Sequence, residues 1–229
     1  MDKDMEPRPV EAAGGWHDLV EAARAGAPHG TYAWSQDADG SLVVQVVLVP
    51  GVPMAYLAGV PYVATLAVCE ALRELGAAGV GIGWPFEVVG PDGRVAGVGT
   101  TAGYGDGGMF VVADVALDLS PVEGVELPEA GRVAASLRDH MTSRVDAWAA
   151  VVNAGGAKAG PISPVASDYY DALPLMGQGV EVVYPNGRVF ARGTLAGLDM
   201  WGRVTVRNSL GRDIEFSHEQ AGVRRPTGH

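Results

Sequence analysis

The stretch Leu75–Val98, LGAAGVGIGWPFEVVGPDGRVAGV, constrains this chain more than any other. An apolar run, Gly79–Trp84, meets Pro85 and resumes at Val88-Val89; a Gly90-Pro91-Asp92-Gly93 turn and a second apolar run, Val95–Val98, follow. Proline has no N–H to give to a ladder, so the pattern predicts a hairpin whose first strand is interrupted at Trp84-Pro85. Trp84 is then expected where the strand leaves the sheet, a common setting for ligand-facing residues. Taken alone, the stretch describes a β-hairpin with a buried Trp.

The remaining segments arrange themselves around it. Met1–Gly14, acidic with two prolines, reads as a mobile or loosely docked start, and Trp16–Ala25 has the apolar spacing of a short helix. Ser41–Pro50 is rich in Val and Leu, as a strand buried on both faces would be. Apolar residues at 57, 60, 63, 66, 67, 71 and 75 predict a core helix over Tyr56–Leu75, with Gly76 as its C-cap. Gly103–Gly108 holds four glycines in six residues and predicts a turn or flexible loop. Met109–Leu119 is the next strand; its Asp114 and Asp118 are charges of the kind that face solvent, and no metal ligand set is assigned. Glu129–Asn153 places Val133, Leu137, Val145 and Trp148 on one helical stripe ended by Gly155-Gly156, and Ser167–Leu175 predicts a short helix. From Gln178 to Arg225 the chain alternates short strands with turn residues such as Asn186-Gly187 and Gly211, the pattern of a small antiparallel barrel.

Composition narrows the function classes. The 229 residues are 48% hydrophobic, ample for a real core in one large domain or a medium and a small one. A formal charge of −11 and a pI near 4.8 oppose nucleic acid and anionic membrane surfaces, which need clustered cations. The lone Cys69 lies in an apolar helical run and reads as a reduced core thiol. With no charged-then-apolar leader and no clear membrane span, the cytoplasm is the expected location.

Trp84-Pro85, an acidic residue two positions on (Glu87), and then Gly93-Arg94-Val95-Ala96-Gly97-Val98 resemble the signature of the biotin protein ligases, in which Lys-Trp-Pro-Asn-Asp is followed by Lys-x-Ala-Gly-Ile. Glu21–Trp34 is similar to the family's arginine-rich loop segment, with Ala25-Gly26 and Trp34 in common, and Met109–Leu119 falls where the family has its Gly-Ile-Gly-Ile-Asn strand. Gly197-Leu198-Asp199-Met200-Trp201-Gly202 resembles the Gly-Ile-Asp-x-x-Gly of the family's C-terminal domain. The resemblance covers about Glu21 to Arg225. It implies an α+β fold: a mixed β-sheet flanked by helices over residues 1–175, then an SH3-like barrel over 176–229. It also implies ATP, Mg²⁺ and biotin or lipoate as cofactors and substrates. The stretch before Glu21 leaves no room for the winged helix of repressor-type ligases, a further reason to expect no DNA binding.

The chemical positions depart from the family. Gly83 replaces the lysine before Trp-Pro, Phe86 the asparagine after it, and Ala27, His29 and Tyr32 stand where cations would approach an acyl adenylate; the whole chain has two lysines, Lys3 and Lys158, neither in a motif. Each hydrogen bond to a charged group is worth roughly 1.5–3 kcal/mol, so losing three or four weakens catalysis on the order of 10³-fold or more. Arg94 alone keeps a cation and is the candidate catalytic residue; Trp34, Trp84, Pro85, Glu87, Arg94, Gly97, Asp118 and His29 are the candidate ligand-binding set. Two functions follow as expectations: a ligase-like binder of a small carboxylate, an acyl-type ligand or a protein partner, or an ATP-dependent acyl ligase with rearranged residues. A homodimer is allowed for. The pocket is expected to keep its shape with altered polarity, unless Phe86 and Tyr32 fill it.

Overall fold

The computed structural model describes residues 16–77, 79–118 and 128–226; the acidic start Met1–Gly14 and the end of the strand expected to reach Leu119 lie outside them. Strands β1 (Tyr32–Gln36), β2 (Leu42–Leu48), β3 (Gly81–Gly83), β4 (Glu87–Val89), β5 (Arg94–Gly105) and β6 (Gly108–Leu117) form one sheet in the order β1-β2-β6-β5-β4-β3. The sheet expected to be mixed is antiparallel in every ladder among the described residues. The interrupted first strand is also corrected: Trp84-Pro85-Phe86 reverses the chain, so Gly81–Gly83 and Glu87–Val89 pair antiparallel with each other. Without a proline N–H the ladder stops, and the chain uses the break to turn back.

Because side chains alternate across a strand, the ladders sort the two faces. Leu42, Leu117, Ala96, Val88 and Ile82 form one directly paired row across five strands, and all are buried. This face packs on helices α2 (Val60–Glu74) and α3 (Ala130–Asn153). The next row, Val43, Ala116, Gly97, Glu87 and Gly83, points the other way. Helix α1 (Trp16–Arg24) covers that second face only at its far end, where Leu19, Val20 and Ala23 pack on Val47, Phe110 and Val112. The Val/Leu run of β2 is thereby covered on both sides there, while no helix among the described residues covers the face around Ala116 and Asp114.

α2 follows a 3-10 turn, Met54–Gly59, and has Pro61 in its first turn, where no N–H is needed. This 21-residue stretch, Met54–Glu74, is long and apolar enough to cross a membrane by composition, but here it is the central core helix. Gly59 brings it against α3: a Cβ there would lie 2.9 Å from Trp148 Cζ2. On α3 the predicted stripe of Val133, Leu137, Val145 and Trp148 is buried, joined by Met141 and Val152. A short helix α4 (Ala166–Asp171) follows.

A second antiparallel sheet, β7 (Gly179–Val183), β8 (Val189–Leu198), β9 (Val204–Arg207), β10 (Asp213–Phe216) and β11 (Gly222–Arg224), is ordered β10-β9-β8-β7-β11. It docks on the first through the turn before β9. The Gly202 carbonyl accepts Trp84 Nε1–H at 2.9 Å and Tyr62 Oη–H at 3.2 Å, and Ile162 N–H donates to Met200 O at 3.2 Å.

Candidate functional site

The uncovered part of the large sheet and the edge of the second sheet enclose a cleft of about 650 Å³. Its floor is Gly97, Gly99, Asp114 and Ala116; one wall is Glu87 and Arg94, and the opposite wall is Val183, Val223 and Arg224. Arg94 also borders a side lobe of about 330 Å³ beneath Pro91 and Pro174, and a shallow depression of about 470 Å³ reaching Asp37, Ser41 and Asp118.

Arg94 opens β5 beside a bulge in the β4–β5 ladder. Its guanidinium folds back over Gly97, where a Cβ would lie 1.9 Å from Nη2. Its Nε stands 3.5 Å from Glu87 Oε1, and both side chains are about half exposed, so this ion pair is weak and yields readily to a ligand anion. On the neighbouring strand β2, Gln45 Nε2 donates to Asp114 Oδ2 at 3.0 Å. On the far wall, Arg224 is engaged: its Nε and Nη2 donate to Glu181 Oε2 at 3.1 and 3.0 Å, while Arg192 occupies Oε1 at 3.0 and 2.8 Å. Glu181 has no solvent exposure, and its two arginines, Arg192 foremost, hold its carboxyl below the ordinary glutamate value.

The structure brings together Arg94, Glu87, Gly97, Trp84 and Pro85 at the main cleft and puts Asp118 in the adjoining depression. Trp84 contributes only an edge, being 3% exposed with its indole N–H on Gly202. Pro85 follows a cis peptide bond and accepts the Tyr169 hydroxyl on its carbonyl. Asp118 donates its main-chain N–H to Val95 O at 2.8 Å.

Two expected members lie elsewhere. Trp34 pairs with Val44 and so belongs to the helix face, where its ring lies against Gly131 at the start of α3. His29 accepts the Val49 N–H on Nδ1 at 2.9 Å and turns Nε2 toward Asp146 at 3.5 Å, tying the end of β2 to α3. Burial outweighs the Asp146 carboxylate and holds this imidazole below its ordinary pKa, so it is a neutral structural residue at pH 7. The cleft is also open. The Phe86 ring packs at 4.9 Å on Tyr62 and at 5.0 Å on His218, and Tyr32 is buried under Arg138.

Residues that motif matching passed over complete the site. Gln45 was detectable as the polar interruption of LVVQVVL, and Asp114 as a charge in an apolar strand. Val183, Val223 and Arg224 carry no local signal, since only docking of the second sheet brings them to the cleft.

No family model and no curated protein matches the sequence. Solved structures do match over nearly the whole chain. A variant biotin protein ligase from Aquifex aeolicus in complex with biotin is similar at TM-score 0.70 and 14% identity, covering 95% of this chain and 97% of that one. The same organism's ligase in complex with biotin and ATP gives TM-score 0.65 at 15% identity, over 90% and 94% of the two chains. This chain has a biotin protein ligase-like fold. A biotin protein ligase-like protein of unknown function from a Silicibacter species shares it, with TM-score 0.65, 18% identity and coverage of 92% and 93%. The ligase-like fold accounts for both sheets and for the order of the matched segments. Identities this low establish architecture, and the chemistry has to be read from the cleft itself.

Proposed function

We propose that this protein is a biotin ligase-like binder that holds a small carboxylate or acyl-type ligand in the cleft and does not carry out standard biotinylation. The observation behind this reading is the charge arrangement. Arg94 and Arg224 face Glu87 and Asp114, with Arg224 already committed to Glu181. An acyl adenylate with MgATP needs converging cations to stabilise phosphoryl charge. A floor carboxylate opposes that charge. These residues do not fit the adenylate. A cleft with a few convergent polar groups suits a small molecule of low net charge, and Arg94 can take one carboxylate through its planar fork.

The reading extends to the chain's organisation: residues 1–175 form the ligand-bearing unit and 176–229 an SH3-like module closing one wall, in a cytoplasmic protein. The alternative, an ATP-dependent acyl ligase with rearranged residues, draws its support from the fold alone. ATP–pyrophosphate exchange with biotin, lipoate and short carboxylic acids, together with mass analysis of a biotin-acceptor domain incubated with biotin and MgATP, separates the two. No exchange and no mass shift are expected; turnover at ordinary ligase rates overturns the proposal.

A further inference from the structure

Asp114 is the one polar side chain of the cleft floor, and its surroundings specify the ligand further. Along β6, Phe110 and Val112 lie under α1, and Asp114 follows on the same face just past the helix. It is flanked across the ladders by Gln45 and Gly99. Gln45 is 6% exposed and donates to Oδ2, which leaves Oδ1 without a hydrogen-bond partner among the described residues; no Lys, Arg or His among them lies within ion-pair distance of Asp114. Gly99 adds no side chain beside it; a Cβ there would lie 4.0 Å from Asp114 Cβ, in van der Waals contact. A carboxylate held in a partly buried setting without a cation is a receptor for one, or for a strong N–H donor.

The guanidinium of Arg94 lies over Gly97, two residues before Gly99 on the same face of β5. Two residues of strand span about 7 Å and Asp114 lies one strand, about 5 Å, across from Gly99, so the anion receptor in the wall and the cation receptor on the floor stand roughly 8–9 Å apart. The four charged side chains lining the cleft, Glu87, Arg94, Asp114 and Arg224, sum to zero, and so do Glu181 and Arg192 behind them. The cleft therefore carries no net charge for a ligand to balance.

We infer that the cleft takes a small amphoteric molecule, an ω-amino carboxylate of about four to six carbons, with its carboxylate on Arg94 and its ammonium on Asp114. This rests on the binding role proposed above and adds the second charge. The carboxylate displaces Glu87 from Arg94, and the ammonium takes the Asp114 oxygen that Gln45 leaves open.

Calorimetry on the full chain with 5-aminopentanoate and with pentanoate tests it, on the native protein and on Asp114→Asn. Asparagine preserves the shape and can still pair with Gln45, and circular dichroism checks that the variant is folded. The expected result is 5-aminopentanoate binding at least tenfold more tightly than pentanoate, with Asp114→Asn removing most of that difference while leaving pentanoate unchanged or tighter. Equal affinities in the native protein, or a preference that survives Asp114→Asn, overturn the inference and leave the carboxylate-binding role standing. Binding of neither compound overturns both.

Discussion

The guanidinium of Arg94 occupies the space that a side chain at position 97 would need, with the Cβ position only 1.9 Å from Nη2. Gly97 is therefore part of the arginine's seat, and the Arg-x-x-Gly spacing at the start of β5 has a steric reason. The obstructing atom is the end of a flexible side chain, so a methyl group at 97 moves the arginine and spares the sheet. Gly97→Ala is expected to weaken carboxylate binding about tenfold, close to Arg94→Ala, as loss of one charge-assisted hydrogen bond at a half-exposed site implies. Titration of both variants with pentanoate checks this, and unimpaired binding by Gly97→Ala contradicts the seat.

Gly202 is where the second sheet meets the first. It has φ +84°, a conformation side chains rarely adopt, and a Cβ there would lie 2.2 Å from Tyr62 Cζ. Tyr62 is 1% exposed and cannot retreat. Gly202→Ala is expected to destabilise the protein by about 2–4 kcal/mol through strain and loss of the Trp84 and Tyr62 hydrogen bonds to the Gly202 carbonyl. Chemical denaturation measures it, and a change below roughly 0.5 kcal/mol, the usual effect of a neutral surface substitution, shows the junction to be pliable.

Glu181 gives the stability a pH dependence. Its folded-state pKa lies below the ordinary 4.5 because Arg192 and Arg224 bind the ionised form. The unfolded chain therefore binds the proton more readily, and the contribution of Glu181 is complete above about pH 4.5 and lost as pH falls through the lower folded value. Glu181→Gln is expected to lower the melting temperature at pH 7 and to flatten the decline below pH 4.5. Melting curves from pH 3 to 7 test both; an unchanged slope in the variant assigns the acid sensitivity elsewhere.

Much of the architecture was legible because it is encoded locally. Periodicity marked the core helix around Val60–Glu74, the long helix Ala130–Asn153 and the strands from Gly179 onward, since each depends on which residues recur on one face. Trp84-Pro85 predicts an interruption within one strand, but it is a reversal between two, because sequence shows that a proline ends a ladder without showing where the chain goes next. Trp34 and His29 matched motif positions yet serve the helix side of the sheet, because the pairing of Trp34 with Val44 and of His29 with Val49 decides the face.

The sequence by itself determined the alternation of buried and open positions on each strand, the turns, the core helices and the scarcity of cations. Tertiary structure decided which open positions become a site. Asp114 and Arg94 are 20 residues apart in the chain and meet in one cleft only through the β5–β6 register, and Arg224 reaches it only through β11 pairing with β7 and the docking at Gly202. Local propensity acts over a few residues, whereas register and docking are settled by the burial of whole faces, so the partners of a charge become visible only in the folded chain.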